Sequence, residues 1–369
     1  MVKIALVHDY FKEFGGAERV LLTLSEMFPD APIYTAFKVK GSTADKQFKN
    51  KKIIESKFAP ILKIGNLYSP LRFLIPAIWG SFDLSSYDLV IVSSSWYITR
   101  GFKVGPKTKV VDYCHTPPRW LYGYEMSVGF TKYWPVKIYS AIVGHFMRMY
   151  DFETAQKVNY FIANSKNIQA RIEKFYRRDS TVIYPPIEVK EIENITANLK
   201  KNNYFVMVSR LVGAKGLEEV SKLAKKMKFE LRIVGESHGF SDVESKLRKL
   251  SGGNIKLLGR LEDPELYKVL GKAKGLIALA KDEDFGMTVV ESQAAGTPVI
   301  AFNGGGFRES VTEGVTGVLV DEISESSLGE AIKKIERIKW RKEALIENAR
   351  RFSKEIFIKK MTAFINKHA

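Results

Sequence analysis

The stretch KDEDFGMTVVESQAAGTPVIAFNGGG, residues 281–306, carries two glutamates eight positions apart, Glu283 and Glu291. The apolar run GLIALA before it reads as a strand and KDEDFG as the loop that follows. A helix is expected to start at Gly286 or Met287. That register leaves Glu283 outside the helix and places Glu291 about one turn inside it. The backbone N–H groups of Gly286, Met287 and Thr288 then point out of the amino end of the helix. Carboxylates accept hydrogen bonds from vicinal hydroxyls, so this pair could hold two parts of one ligand, a hexose and a ribose. Taken singly, a loop charge and a solvated helix residue explain each glutamate better; taken together with the cations described next, they do not.

Three other stretches end an apolar run with groups of chemical use. In VSRLVGAKGLEEV, Arg210 follows a strand and Lys215 stands five residues on, before an amphipathic helix. Two cations at a helix amino end make a clamp for a diphosphate, whose charge grows as it leaves a sugar. In HDYFKEFGGAERVLLTL, Gly15 and Gly16 precede a helix beginning near Ala17, a place where backbone N–H groups can approach a phosphate. This is neither GxGxxG nor a P-loop, which counts against a dinucleotide dehydrogenase or an ATPase. In VVDYCHTPPRWLYGY, His115 ends a strand.

The elements that must position these groups alternate along the chain. KIALVHD, LVIVSSS, KVVDYCHT, YFIANS and TVIYPPI occupy the first half, and YFVMVSRL, LRIVGES, IKLLGRL, GLIALA, PVIAF and GVLVDE the second. Their continuous hydrophobicity predicts strands buried on both faces, and the amphipathic stretches between them predict parallel, doubly wound sheets. Two such sets imply two Rossmann-like α/β domains, residues 1–187 and 200–350, joined through the polar, proline-led stretch 185–203, with the linker at 188–199. Such sheets bind ligands at the carboxyl ends of their strands. If the two sheets face each other, those ends line one cleft. A last amphipathic helix is expected near 340–366.

The 369 residues are 45% hydrophobic and 27% charged, the composition of a folded two-domain protein and not of a disordered chain. The single cysteine, Cys114, excludes an intramolecular disulfide and reads as a small, inert buried thiol. No His/Asp/Glu cluster has metal-ligand spacing, so no metal is expected. VKIALVH leads straight into a polar turn and reads as a strand, not as a signal peptide. No apolar run approaches the roughly 20 residues that span a bilayer, and a cytoplasmic location is expected. The net charge of +17 is uneven: residues 46–150 hold 15 Lys/Arg against 5 Asp/Glu, mixed with Trp, Tyr and Phe. That mixture suits a surface resting on anionic lipid, with Trp79 and Trp134 at headgroup depth; a solvated basic face over ordinary core has the same composition.

The ordered set of motifs resembles a known family. Glu283-Asp284-Phe285-Gly286 with Glu291 looks like the E-x7-E signature of retaining glycosyltransferase family 4, whose fold is GT-B. Arg210 with Lys215-Gly216 resembles that family's Arg/Lys pair, and Gly15-Gly16-Ala17-Glu18 its glycine loop. Gly296-Thr297-Pro298-Val299 and Gly304-Gly305-Gly306 fall where the family carries such turns, so the resemblance covers nearly the whole chain. It implies that Glu283 binds donor hexose hydroxyls with backbone help from Phe285 and Gly286. It implies that Arg210, Lys215 and the Gly16 amide hold the diphosphate, and that Glu291 binds the ribose. It implies a metal-free, front-face transfer with retention, and a last helix that returns to the first domain, which extends that domain by 351–369. CHTPPRWLY looks like a segment of bacterial O-antigen mannosyltransferases, which use GDP-mannose. His115 would then touch the sugar or its reacting centre, a catalytic place, while Arg119 and Trp120 shape the acceptor side. One departure stands out: Gly235-Glu236-Ser237-His238-Gly239 replaces the family's frequent Gly-x-Gly.

The expected activity is transfer of a hexose, mannose from GDP-mannose, to a lipid-linked saccharide for cell-surface polysaccharide, at the inner face of the membrane. Two other readings remain open here. A non-hydrolysing nucleotide-sugar epimerase shares the fold but would release a free sugar from donor alone. A non-enzymatic binder of polyanions, nucleic acid included, would explain the charge but not the carboxylates; the expectation is that nucleic acid is not a partner.

Overall fold

The computed structural model describes residues 2–124, 134–237 and 242–368. His238 and Gly239 of the departing loop lie outside the described residues. The chain divides into two compact units, one of residues 2–124, 134–186 and 357–368, the other of residues 187–237 and 242–356.

The first unit holds seven parallel strands: β1 (Ile4–His8), β2 (Ile33–Thr35), β3 (Ile53–Glu55), β4 (Leu89–Ser94), β5 (Lys109–Cys114), β6 (Tyr160–Ala163) and β7 (Ser180–Val182). Their order is β3-β2-β1-β4-β5-β6-β7, which reverses direction between β1 and β4. Side chains alternate across the sheet. Leu6, Ile91, Val111 and Ile162 form one core with the helix Gly16–Met27 and with Phe357, Met361, Phe364 and Ile365 of the last helix. Ala5, Val7, Val90, Val92, Val110 and Phe161 face the opposite way, into a core shared with Trp79, Met147 and Ile168. Both faces are covered, which is why these strands read as unbroken apolar runs.

The second unit holds six: β8 (Phe205–Val208), β9 (Leu231–Val234), β10 (Ile255–Gly259), β11 (Gly275–Ala278), β12 (Val299–Phe302) and β13 (Gly317–Val320), ordered β10-β9-β8-β11-β12-β13. The reversal falls between β8 and β11. In doubly wound sheets the ligand crevice lies at that switch point, outside the strand ends.

Four expectations need correction. Strands β2 and β3 were not foreseen; each is only three residues long and lies toward one edge of its sheet, too short to show a period. The expected linker contains the helix Val189–Thr196, whose Val189, Ile192 and Thr196 are buried beside the helices Asp263–Lys272 and Met287–Ala294. Its apolar residues recur at helical spacing inside an otherwise charged segment. The last helix is two, Lys342–Arg350 and Lys354–His368. Between them the backbone turns to pair with Ile187, whose N–H donates to the Phe352 carbonyl (3.0 Å) and whose carbonyl accepts from the Lys354 N–H (3.0 Å). Trp79, expected at headgroup depth, is fully buried and donates its indole N–H to the Tyr97 carbonyl at 2.9 Å.

Candidate active site

In the second unit the expected groups gather at the switch point. Arg210 stands on the turn after β8, and Lys215 ends the short turn Gly213–Lys215 that leads into the helix Leu217–Met227. Glu283 lies on the loop after β11, the neighbouring strand. Lys215 Nζ and Glu283 Oε2 are 2.5 Å apart, both side chains partly exposed. Residues 68 positions apart thus form one ion pair because β8 and β11 are adjacent. Arg210 is exposed and makes no ion pair with any described residue, which leaves its guanidinium available to an anion.

The Glu283 loop is held from beneath by the glycine turn. The Gly306 N–H donates to the Glu283 carbonyl at 2.9 Å. Gly305 has φ +54°, and a Cβ there would strike the Glu283 backbone, so only glycine permits this approach. Phe285 is buried with its ring 5.3 Å from that of Phe352, anchoring the other side of the loop. Gly286, at φ +87°, caps the helix Met287–Ala294, so the helix begins where the sequence placed it. Met287 and Thr288 form its first turn, where N–H groups lack intrahelical partners. Glu291 lies one turn in and is only 4% exposed, not the solvated helix residue that the sequence also allowed.

In the first unit a chain of hydrogen bonds leads to His115. Its Nε2 lies 2.8 Å from Ser93 Oγ, which lies 3.1 Å from His8 Nδ1; His8 Nε2 in turn is 3.4 Å from Glu18 Oε1. His8 Nδ1 also lies 3.2 Å from the Ser93 carbonyl, so Ser93 and Glu18 together fix the orientation of the His8 ring. Burial, then the neighbouring His8, pushes the His115 pKa down to about 4, so the ring is neutral at physiological pH. An unfolded histidine protonates near pH 6.5, so burial of this neutral ring costs stability progressively as pH falls from there towards 4.

Glu18 also alters the glycine loop. Its Oε2 accepts the Gly15 N–H at 2.9 Å, capping the helix Gly16–Met27. The Gly15 N–H, expected to meet a phosphate, is therefore already taken; Gly16 stands in the first helical turn. The sequence signal was the glutamate three residues after the cap.

Arg119 and Trp120 follow β5 and are half-buried. The Trp120 indole donates to the Trp96 carbonyl at 3.0 Å, and the Arg72 guanidinium lies over both Trp96 (4.9 Å) and Trp120 (4.6 Å). Tyr10, Phe37 and Tyr68 pack together alongside. The part-exposed Tyr10, Trp96 and Trp120 follow β1, β4 and β5 and, with Tyr68 and backed by the buried Phe37, make a surface suited to a sugar face, of which the sequence marked only Trp120. Cys114 is buried, and burial pushes its thiol pKa up, in keeping with an inert role. Among the described residues no group of three or more His, Cys, Asp or Glu side chains is arranged to hold a metal ion.

Comparison with known proteins follows the same division. The model Glycosyltransferase Family 4 matches residues 14–191, and the model Glycosyl transferases group 1 matches residues 188–352. Matched in tandem over most of its length, the chain belongs to the family 4 glycosyltransferases, and its fold is GT-B. An uncharacterised glycosyltransferase of Methanocaldococcus jannaschii is 26% identical over 62% of this chain, which spans 63% of that relative's length. A GDP-mannose-dependent monoacylated alpha-(1-6)-phosphatidylinositol monomannoside mannosyltransferase of Corynebacterium glutamicum is 34% identical over 34% of this chain and 35% of its own. The crystal structure of Anabaena HepE in complex with UDP-glucose covers 100% of both chains with a TM-score of 0.70 at 17% identity, a likeness of fold.

Proposed function

We propose that the protein is a retaining hexosyltransferase that moves mannose from GDP-mannose to a lipid-linked saccharide, without a metal, at an anionic membrane surface. The observation that carries the transferase reading is the Lys215–Glu283 pair at the β8/β11 switch point, a cation for a diphosphate beside a carboxylate for sugar hydroxyls. In the second unit, Arg210 and Lys215 take the diphosphate. Glu283 takes the hexose, with backbone from Phe285 and Gly286 and the first-turn N–H groups of Met287 and Thr288. Glu291 takes the ribose. In the first unit, Gly16 offers an N–H to phosphate and the neutral His115 ring meets the sugar, while Arg119 and Trp120 border the acceptor. In the front-face route the leaving diphosphate oxygen draws the acceptor proton, so the protein supplies charge compensation and alignment.

The mannose assignment draws on the Corynebacterium relative, whose printed donor is GDP-mannose. A second reading has its own support, since the Anabaena structure holds UDP-glucose. Isothermal titration against GDP-, UDP- and ADP-sugars, with and without chelator, separates them. GDP-mannose is expected to bind tightest, unaffected by chelator. Preference for a UDP-sugar would replace the mannose reading, and a donor-only reaction releasing an epimerised sugar would replace the transferase reading.

The membrane assignment draws on the helix Trp134–Gln156. Trp134 (73% exposed), Ile138, Ile142, Phe146, Met149 and Phe152 are all exposed along it at intervals of three or four residues, one apolar stripe beside exposed Lys137 and Arg148. Among the described residues no helix is long and apolar enough to cross a membrane. Pelleting with phosphatidylglycerol vesicles is expected at low salt and to weaken at high salt. Serine at Ile138, Ile142 and Phe146 together should reduce it while sparing GDP binding. Equal recovery from neutral and anionic vesicles, or none from either, would return the stripe to an unexplained exposed face.

A further inference from the structure

At the carboxyl ends of β2 and β3 the first unit has a concavity of about 590 Å³ lined by Lys38, Lys40, Lys46, Lys49 and Lys63. Two carboxylates complete the lining. Asp45 lies 3.0 Å from Lys38 Nζ, and Glu55 lies 2.7 Å from Lys63 Nζ. Five ammonium groups therefore face two carboxylates, and only Lys38 and Lys63 are paired. Lys40, Lys46 and Lys49 are exposed, and no ion pair joins them to a described residue. Like charges gathered in a hollow repel one another and raise a positive potential that a multiply charged anion would relieve.

Two features give the hollow a direction. It sits at strand carboxyl ends, the edge of a doubly wound sheet that meets ligands. It also adjoins the aromatic surface: Lys38 follows the buried Phe37, against whose ring the part-exposed Tyr10 (5.0 Å) and Tyr68 (5.2 Å) pack. Lys12 continues the positive charge there, donating to the Tyr68 hydroxyl at 3.1 Å. A ligand bearing both a sugar and a phosphoryl group meets both halves of this surface.

We infer that the lysine-lined hollow binds a phosphoryl group, and that the acceptor is a phosphorylated saccharide whose phosphates lie among Lys40, Lys46 and Lys49. The second half rests on the transferase reading; the first does not. Ammonium groups suit the role because they act as point charges on flexible stems and accept phosphate in several poses.

The test is titration with inorganic pyrophosphate. Because pyrophosphate also fits the Arg210/Lys215 pair, it is run on the wild type, on Arg210→Ala/Lys215→Ala, and on Lys40→Gln/Lys46→Gln/Lys49→Gln. The lysine variant removes no ion pair, and a wild-type melting curve checks its fold. In the Arg210/Lys215 variant pyrophosphate binding is expected to persist. Adding the three glutamines to that variant should weaken it on the order of tenfold or more. GDP affinity should be unchanged by the glutamines alone. Phosphatidylcholine vesicles with and without a polyprenyl diphosphate identify the source. Glutamine-sensitive pelleting with the diphosphate lipid indicates a lipid-borne phosphate, and pyrophosphate binding without pelleting indicates a soluble one. Pyrophosphate binding that vanishes with Arg210 and Lys215 and ignores the glutamines would overturn the site. Pyrophosphate binding that depends on the lysines, in a protein that transfers no sugar, would instead leave the phosphoryl site standing and overturn the transferase reading, and with it the acceptor assignment.

Discussion

Glu283→Ala is expected to slow sugar transfer by roughly 10²–10⁴-fold, the loss of two charge-assisted hydrogen bonds of about 1.5–3 kcal/mol each to vicinal hydroxyls. GDP affinity should stay the same or rise, because the substitution also releases the Lys215 ammonium that Glu283 holds at 2.5 Å. The structure adds a coupling to this expectation. In the proposed site Lys215 serves both the diphosphate and the positioning of Glu283, so Lys215→Ala is expected to disturb both. A double-mutant cycle on transfer rate should show the pair to be non-additive by about 0.5–3 kcal/mol. Initial rates with the preferred donor and titration with GDP measure the two effects separately. If GDP affinity fell as far as the rate, Glu283 would belong to the nucleotide and not to the sugar.

Arg100→Leu is expected to produce the largest loss of stability. Arg100 is buried with Asp112 and Asp151 in the first unit; it donates to Asp112 Oδ2 at 2.8 Å, to Asp151 Oδ1 and to the Tyr176 hydroxyl. Ser94 donates to Asp112 at 2.6 Å and Tyr122 to Asp151 at 2.7 Å. The cluster ties β5 to the helices Trp134–Gln156 and Lys166–Tyr176, three residues upstream of His115. Removing this cation leaves two buried carboxylates, which costs about 3–5 kcal/mol, or roughly 6–20 °C in the melting temperature of a unit this size. Burial already pushes both aspartate pKa values up, opposed by Arg100. Without Arg100 the folded state holds those protons more tightly than the unfolded state does. The variant's deficit should therefore be greatest at neutral pH and shrink as pH falls towards the carboxylates. Denaturant melts at two pH values measure this, and Asp112→Asn/Asp151→Asn in the same chain should restore part of the loss. A deficit that grew on acidification would mean that the aspartates are not the charges Arg100 compensates.

Neither aspartate had been singled out in the sequence, although Asp112 interrupts an otherwise apolar strand, VVDYC. A charge in such a place signals a buried partner but not which one, because Arg100 comes from a loop and Asp151 from a helix. The same holds for Glu18: its spacing from Gly15 marks a cap, but the bond to His8 depends on where β1 ends.

What the sequence determined by itself was local. All six strands of the second unit and five of the seven in the first were legible as apolar runs, because burial on both sheet faces leaves a continuous hydrophobic signature. The start of the helix Met287–Ala294 and the placing of Glu283 before it were legible for the same kind of reason: a glycine in the left-handed region ends a loop and opens a helix. The tertiary structure alone decided which of these pieces are neighbours. Lys215 meets Glu283 because β11 adds beside β8, with β9 and β10 on the far side. Five lysines scattered over 26 positions share one hollow because β2 and β3 end side by side. Trp79 is core and Trp134 is surface, though both stand among basic and aromatic residues, because burial depends on what packs across a sheet face and not on composition. Strand order is set by the free energy of packing helices on both faces of a twisted sheet, a long-range choice that no local period records.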